Sequence, residues 1–456
     1  MPNPYLWPSL YSPPEEPLTR PGLLFMAAVT TLSIFAGERI PSSNVVGGLP
    51  RAPFFGASLN PSQGKPAIEA VGPDTPAAKM GLQPGDVMVS VDGMPVGDPA
   101  AFIAAIGRKR AGDPVTVVVR RGDATLTKEG KLAPKPLESR AEYEIEYGSV
   151  DAGGAKRRVL VTRPRAPGKY PAVLLIGGIG CYSLDGLLRP AELHDSYARV
   201  LDALTRAGYV TMRVEKSGMG DSEGPPCTDP RSDFDAEVRG DAAGLAQLES
   251  LDFVDKRNVF LFAHSIGPLV AARIASEHPV RGIVVAETVG TSWIEYELTN
   301  VRRQLLLGGM PYDEVDHRVR HHEVCAHRFY VEKQTPEQIA ASDRACAADL
   351  QWPAPYTYMQ QIGALDLAPL WKKIAAPVLI FYGTADFLTD DDQHQYLRDM
   401  INSFHPGNAV YVAVEGMDHG LMLSGTQKAS FDGVENAPFA QRVVDETLQF
   451  LKRVGV

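Results

Sequence analysis

Residues Asn258 to Ala275 read NVFLFAHSIGPLVAARIA, and few local structures can accommodate them. The run Val259–Ala263 is continuously apolar, as a strand buried on both faces would be. His264-Ser265-Ile266-Gly267 follows as a turn, and then an alanine-rich stretch with helical spacing. Strand, sharp turn and helix with serine at the apex make a nucleophile elbow. Such a turn demands small residues two before and two after the serine, because a larger side chain would strike the neighbouring backbone. Ala263 and Gly267 meet that demand, so the motif is Ala-x-Ser-x-Gly. The pentapeptide is frequent in any long chain; the flanking strand and helix make Ser265 a candidate nucleophile.

A chain of 456 residues has room for two or three domains and a large core. A net charge of −10, with no basic tract, argues against nucleic-acid binding. Residues 1–44 read as a leader and linker. Within them Gly22–Gly37 is an uncharged apolar run after Arg20, with the length of a signal-peptide core and short for a membrane span. Glu15, Glu16 and the lack of an A-x-A site depart from that pattern, leaving a single-pass anchor and a buried helix as alternatives. Export to the periplasm or medium is the favoured expectation, with the membrane involved only through an uncleaved leader. Cys181, Cys227, Cys325 and Cys346 contain no CxxC, so zinc is not expected. Free thiols and disulfides both fit, and export favours disulfides.

Residues 38–50 read as a Gly/Ser/Pro-rich linker. After it come FFGASL, AIEAV and DVMVSV as strands, with Asp92-Gly93 as a hairpin turn. A helix is expected from Asp98 to Arg108, with Asp98 as its cap and Pro99 at its first position, then a hairpin turning at Arg121-Gly122. Together with GPDTPAAKMGLQPGDVMVSVDGMPV, this resembles a bacterial-type PDZ domain, drawn at residues 45–135. The resemblance implies a groove that takes an extended peptide, such as a partner's C-terminus, by strand addition. Its carboxylate loop would be Phe54-Phe55-Gly56-Ala57. An empty or self-filled groove is the alternative.

Residues 133–140, APKPLESR, read as a second linker, with Pro134 and Pro136 stiffening it. Beyond it strands and helices alternate, which implies a mostly parallel sheet covered on both faces. The alternation breaks at about 289–370, where the spacing is helical. Residues 136–456 resemble an α/β-hydrolase with an inserted helical cap there. The fold class is thus α/β, a doubly wound hydrolase sheet plus a small β-rich PDZ domain. In that family the chain order is serine, acid, histidine.

Asp386 follows the strand Val378–Tyr382 and matches the family's acid; Asp390, Asp391 and Asp392 lie where acids cap a helix. His419 follows the last strand on a Gly-rich loop and matches the base. The oxyanion donors implied by the resemblance are the N–H groups of Ile266 and Ile179. Here the chain has Gly177-Gly178 where the family often has His-Gly. The loop Glu215–Gly224 matches a structural Gly-x-Gly-x-Ser-x-Gly segment, in which Asp221 and Ser222 are read as structural. Loops after neighbouring strands of this fold should meet, which pairs Cys181 with Cys227; Cys325 and Cys346 would pair within the cap. His317, His321 and Cys325 fall at i, i+4 and i+8, but a packed or solvated helix is the commoner use of such spacing. Trp293, Tyr296, Phe329 and Tyr330 are candidate pocket walls. The resemblance implies a cofactor-free serine hydrolase acting on small carboxylic esters. Its rivals are a serine aminopeptidase, for which Glu295 and Glu297 would grip an amino terminus, and a PDZ-led adaptor with an idle hydrolase domain.

Overall fold

The computed structural model describes residues 45–59, 65–189, 193 and 195–455. The apolar run at 22–37 lies outside the described residues, among which no helix is long and apolar enough to cross a membrane.

The alternating region builds an eight-stranded sheet. Its strands are β1 (Tyr143–Asp151), β2 (Lys156–Pro164), β3 (Tyr170–Ile176), β4 (Val210–Val214), β5 (Val254–His264), β6 (Gly282–Ala286), β7 (Val378–Gly383) and β8 (Ala409–Val414). Their spatial order is β1-β2-β4-β3-β5-β6-β7-β8. β2 runs antiparallel to both of its neighbours, and the remaining pairs are parallel. β5 shows why its sequence is so apolar. Val259, Leu261 and Ala263 enter the core on one face, Phe260 and Phe262 the core on the other. Helices Phe234–Ser250 and Gly267–Ala275 cover the first face; Ser196–Arg206 and Gln441–Val454 cover the second. The order reverses beside β3 and β5, so the loops leaving their carboxyl ends border a crevice.

Between β6 and β7 the chain is helical. A disulfide joins Cys325, near the end of helix Tyr312–Ala326, to Cys346 in helix Arg344–Asp349. The second disulfide, Cys181–Cys227, ties the loop after β3 to the loop after β4. Phe329 and Tyr330 are fully buried and belong to the core, where Phe329 stacks on Trp352 at 4.5 Å. They are packing residues, not open pocket walls.

The N-terminal domain packs Phe55, Met88, Phe102 and Val117 into a separate core. Asp92 and Gly93 both take positive φ, 49° and 78°, the twist a two-residue hairpin requires. Asp98 caps helix Pro99–Gly107 by accepting from the Ala101 N–H at 2.7 Å. The second hairpin turns at Gly122-Asp123, one residue later than the sequence suggested. Arg121 still pairs with Ala124, and its guanidinium is anchored on Asp86 at 2.7 and 2.8 Å.

Both expected linkers are instead part of the packed structure where they are described. Val45–Val46 and Leu49–Pro50 form a small hairpin, and Leu49 is fully buried. A Cβ on Gly47 would lie 2.2 Å from the Tyr147 carbonyl oxygen, so this hairpin lies directly against β1. Ala133–Pro134 pairs antiparallel with Pro53–Phe54. Arg51 is buried and pairs with Asp185 at 2.9 Å and with Asp221, while the Ala52 N–H donates to Asp221 at 2.7 Å. Glu138 is buried against Arg213 and accepts from the Leu188 N–H at 3.3 Å. The sequence boundary at 135/136 therefore runs through a buried ionic joint. Asp221 and Ser222 sit within it, Ser222 accepting from the Arg158 N–H at 3.0 Å.

Candidate active site

Ser265 stands at the end of β5 with φ of 63°, a left-handed conformation that costs a non-glycine residue about 1 kcal/mol or more. Its own N–H donates to the Ala286 carbonyl at 2.9 Å and helps hold the turn. A Cβ on Gly267 would lie 2.5 Å from the Ile176 carbonyl oxygen, which explains the glycine two residues on. Ala263 is fully buried, as the position two residues before requires. A Cβ on Gly178 would sit 3.2 Å from that of Ser265, so the loop after β3 passes directly over the serine.

His419 and Asp386 arrive from the ends of β8 and β7. Nε2 of His419 is 2.9 Å from Ser265 Oγ, and Nδ1 is 2.8 Å from Asp386 Oδ2. An ionised carboxylate can only accept, so Nδ1–H donates to Asp386 and Nε2 is left to accept from the serine hydroxyl. Asp386 is fixed by the Leu388 N–H at 2.7 Å and the Thr389 hydroxyl at 2.6 Å. Its rivals stand apart: Asp390 caps helix Asp391–Phe404 and pairs with Arg303.

A fourth group stands behind these three, and the sequence reading missed it. Glu287 is the first residue after β6, fully buried, at φ of 51°. Its carboxyl lies within 4.8 Å of the facing atoms of Asp386 and His419. Burial and the neighbouring Asp386 push the Glu287 carboxyl well above its usual range, so it stays neutral. Burial would raise Asp386 as well, but His419, Glu287 and Thr389 together outweigh that and hold it well below the usual carboxylate range. The available signal was a charged residue directly following a wholly apolar strand, GIVVA.

His264, beside the nucleophile, bridges two loops. Its Nε2 is 2.7 Å from the His419 carbonyl oxygen, which can only accept, so Nε2 carries the proton. Nδ1 then accepts from the Tyr197 hydroxyl at 2.7 Å, and that hydroxyl accepts from the Gly178 N–H at 2.9 Å. Burial and the proximity of His419 push His264 down to about 3, so it is a neutral strut. With the Gly178 N–H engaged, the next donor along the loop is Ile179. Neither Ile179 nor Ile266 has an acceptor for its N–H among the described residues.

The remaining sequence candidates fall elsewhere. Phe54, Phe55, Gly56 and Ala57 lie in the N-terminal domain, with Phe55 edge-on to Phe102 at 5.1 Å. Cys325 is bonded to Cys346 and offers no thiolate beside His321.

Comparison with known proteins agrees with this architecture. A family model described as the alpha/beta hydrolase family matches residues 173–429, and a PDZ domain model matches residues 53–132. Esterase EstD of Thermotoga maritima is 22% identical over 344 residues, 72% of this chain and 75% of that protein. The magnetosome formation protease MamE of Magnetospirillum gryphiswaldense is 30% identical over 135 residues, 27% of this chain and 16% of its own. The solved structure of Est1E from Butyrivibrio proteoclasticus covers 68% of this chain and 98% of its own, with 15% identity and a TM-score of 0.43. The matched hydrolase segment spans more than half of the sequence and contains the elbow, the acid and the histidine: the chain belongs to the alpha/beta hydrolase family and carries a PDZ domain ahead of its hydrolase sheet.

Proposed function

We propose that the protein is a serine esterase that cleaves small carboxylic esters through an acyl-enzyme. The observation that carries this is the continuous chain Ser265–His419–Asp386, with links of 2.9 and 2.8 Å. Ser265 Oγ attacks the ester carbonyl carbon while His419 Nε2 takes its proton. The tetrahedral oxyanion is received by the N–H groups of Ile266 and Ile179. Collapse expels the alcohol, protonated by His419, and leaves an acyl-serine. Water, deprotonated by the same Nε2, then releases the carboxylic acid. Asp386 keeps His419 in the tautomer this cycle needs, and no step calls for a cofactor. The likeness to an esterase over 72% of the chain supports ester substrates. Glu297, the proposed grip for a free amino terminus, is fully buried and bonded to His322 and Trp352 at 3.3 Å each. That commitment within the cap does not favour a peptidase.

The PDZ groove is proposed to bind an extended peptide at Phe54–Ala57. The Gly72 N–H donates to the Gly56 carbonyl at 2.9 Å. Ala57, opposite Val71, is therefore at a non-hydrogen-bonded pair and turns its N–H and C=O to the open edge. The two disulfides fit an oxidising compartment, and export is proposed on that ground.

The test is Ser265→Ala. Turnover of p-nitrophenyl acetate and butyrate should fall by at least ~10³-fold with an unchanged melting temperature. A variant that keeps a tenth of wild-type activity removes Ser265 from the mechanism. Aminoacyl anilides hydrolysed faster than the esters would move the reading to a peptidase.

A further inference from the structure

The loop that must present the Ile179 N–H reads Gly177-Gly178-Ile179-Gly180. Three glycines leave the backbone free to rotate, and a flip of the Gly178–Ile179 peptide would be locally cheap. It would also be ruinous. C=O and N–H of a trans peptide point in opposite directions, so the flip would aim a carbonyl, and not a donor, at the developing oxyanion.

The structure holds this peptide from its carbonyl side. The Gly178 oxygen accepts from Lys216 Nζ at 2.7 Å and from the Tyr182 hydroxyl at 2.8 Å, which fills both lone pairs. Lys216 is itself braced, by Glu237 Oε1 at 2.9 Å and by the Tyr182 ring, whose centroid is 5.2 Å from Nζ. Its side chain is only 12% exposed, so the contact is shielded from water. Lys216 leaves the end of β4, and the disulfide Cys181–Cys227 ties that loop to the end of the glycine run. The other face of the loop is held by Tyr197 through the Gly178 N–H.

We propose that Lys216 is a positioning residue for the oxyanion hole: by gripping the Gly178 carbonyl it fixes the direction of the Ile179 N–H. A cation on the carbonyl also polarises the peptide, making the N–H a stronger donor. The inference rests on the serine-esterase reading, and its effect belongs to the transition state and not to ground-state binding.

The test uses the full chain with p-nitrophenyl butyrate, and phenylboronic acid as a probe that forms a tetrahedral adduct. In Lys216→Met, kcat should fall about 10- to 100-fold with KM within about threefold, somewhat less than loss of an oxyanion donor itself costs. The Ki of phenylboronic acid should rise by the same factor as kcat/KM falls, which a general loss of packing would not produce. Lys216→Arg should recover most of the rate. Should Lys216→Met fold poorly because Glu237 is left unpaired, Lys216→Met/Glu237→Gln removes that carboxylate and must show the same kcat loss. Either folded variant with kcat within threefold of wild type, while Ser265→Ala is inactive, overturns the role of Lys216 and leaves the esterase reading intact. Activity surviving in Ser265→Ala overturns the reading on which both rest.

Discussion

Two regions of this molecule bury charged groups, and they arrange them oppositely. Behind Ser265, two carboxyls, Asp386 and Glu287, crowd one histidine, and burial together with the neighbouring Asp386 keeps Glu287 neutral. At the joint between the PDZ and hydrolase domains, positive and negative groups alternate. Arg51 and Arg158 share Asp221, Arg51 and Lys135 share Asp185, and Arg213 holds Glu138. In the proposed mechanism the first arrangement poises a proton for transfer. The second sets each buried charge against an opposite one and makes orientation specific, since each charge is stable only beside its partner. Substitutions behind the serine should therefore cost rate, and substitutions at the joint should cost stability. The regions are close enough for that division to be tested: Lys135 reaches Ser183 at 3.2 Å, just past the glycine loop that passes over Ser265.

The largest stability effect is expected from Arg51→Met. It leaves Asp185 and Asp221 buried with fewer cations, a situation that typically costs about 3–5 kcal/mol. Urea unfolding should show that loss, while the folded fraction keeps kcat on p-nitrophenyl butyrate within about threefold. A loss below ~1 kcal/mol would mean that the joint is solvated and the domains are only tethered. For the same reason a cut at 135/136 should fail by misfolding, because it removes Arg51 and Lys135 together.

How legible these regions were in the sequence follows from the same contrast. Ser265, Asp386 and His419 each follow a strand whose apolar pattern marks its end, so a regular fold carries them to one place. The Asp92-Gly93 turn and the Asp98 cap were readable because a single residue's backbone preference determines them. Arg51 was not. It acts on Asp221, 170 residues away, from a proline-bearing stretch with no periodicity, and an isolated charge in such a stretch reads as solvated. Glu138 was hidden in APKPLESR in the same way. Glu287 lies between the two cases: the apolar run GIVVA before it is legible as a strand, but its neutral state depends on burial and on Asp386, 99 positions later by number and adjacent only once β6 and β7 pair.

The disulfide Cys181–Cys227 ties the glycine loop to the segment that carries Asp221 and should show both kinds of loss. It closes a loop with a sequence separation of 46, for which a stabilisation of about 2–4 kcal/mol is typical. Cys181→Ser/Cys227→Ser should lower stability by that order. It should also lower kcat by about three- to tenfold, because the bridge ties the glycine loop to the segment bearing Lys216. Loss of stability with kcat unchanged would show that Lys216 and the tyrosines suffice to hold the loop.

The smallest effect expected concerns Asp241, on helix Phe234–Ser250, beside the start of the glycine loop. A cavity of about 10 Å³ there is bordered by Gly177, Lys216, Glu237 and Asp241. Burial, with Glu237 adding to it, pushes the Asp241 carboxyl up to about 8 from its ordinary 3.8. The sign of the pH dependence follows from proton counting. Between those two values the folded protein keeps the Asp241 proton and the unfolded chain has lost it, so stability falls as pH rises. The contribution is complete below the unfolded value and gone above the folded one. Other raised carboxyls, Glu287 and Glu215 among them, add slopes of the same sign, so the informative quantity is the difference between wild type and Asp241→Asn. From pH 6 to 8 the wild type should lose about 2 kcal/mol relative to this variant, which cannot titrate at position 241. Urea midpoints at both pH values measure it. Parallel slopes would mean that Arg157 and Lys216 keep Asp241 ionised when folded, which would extend the ion-paired arrangement of the joint to the floor of the active-site loop.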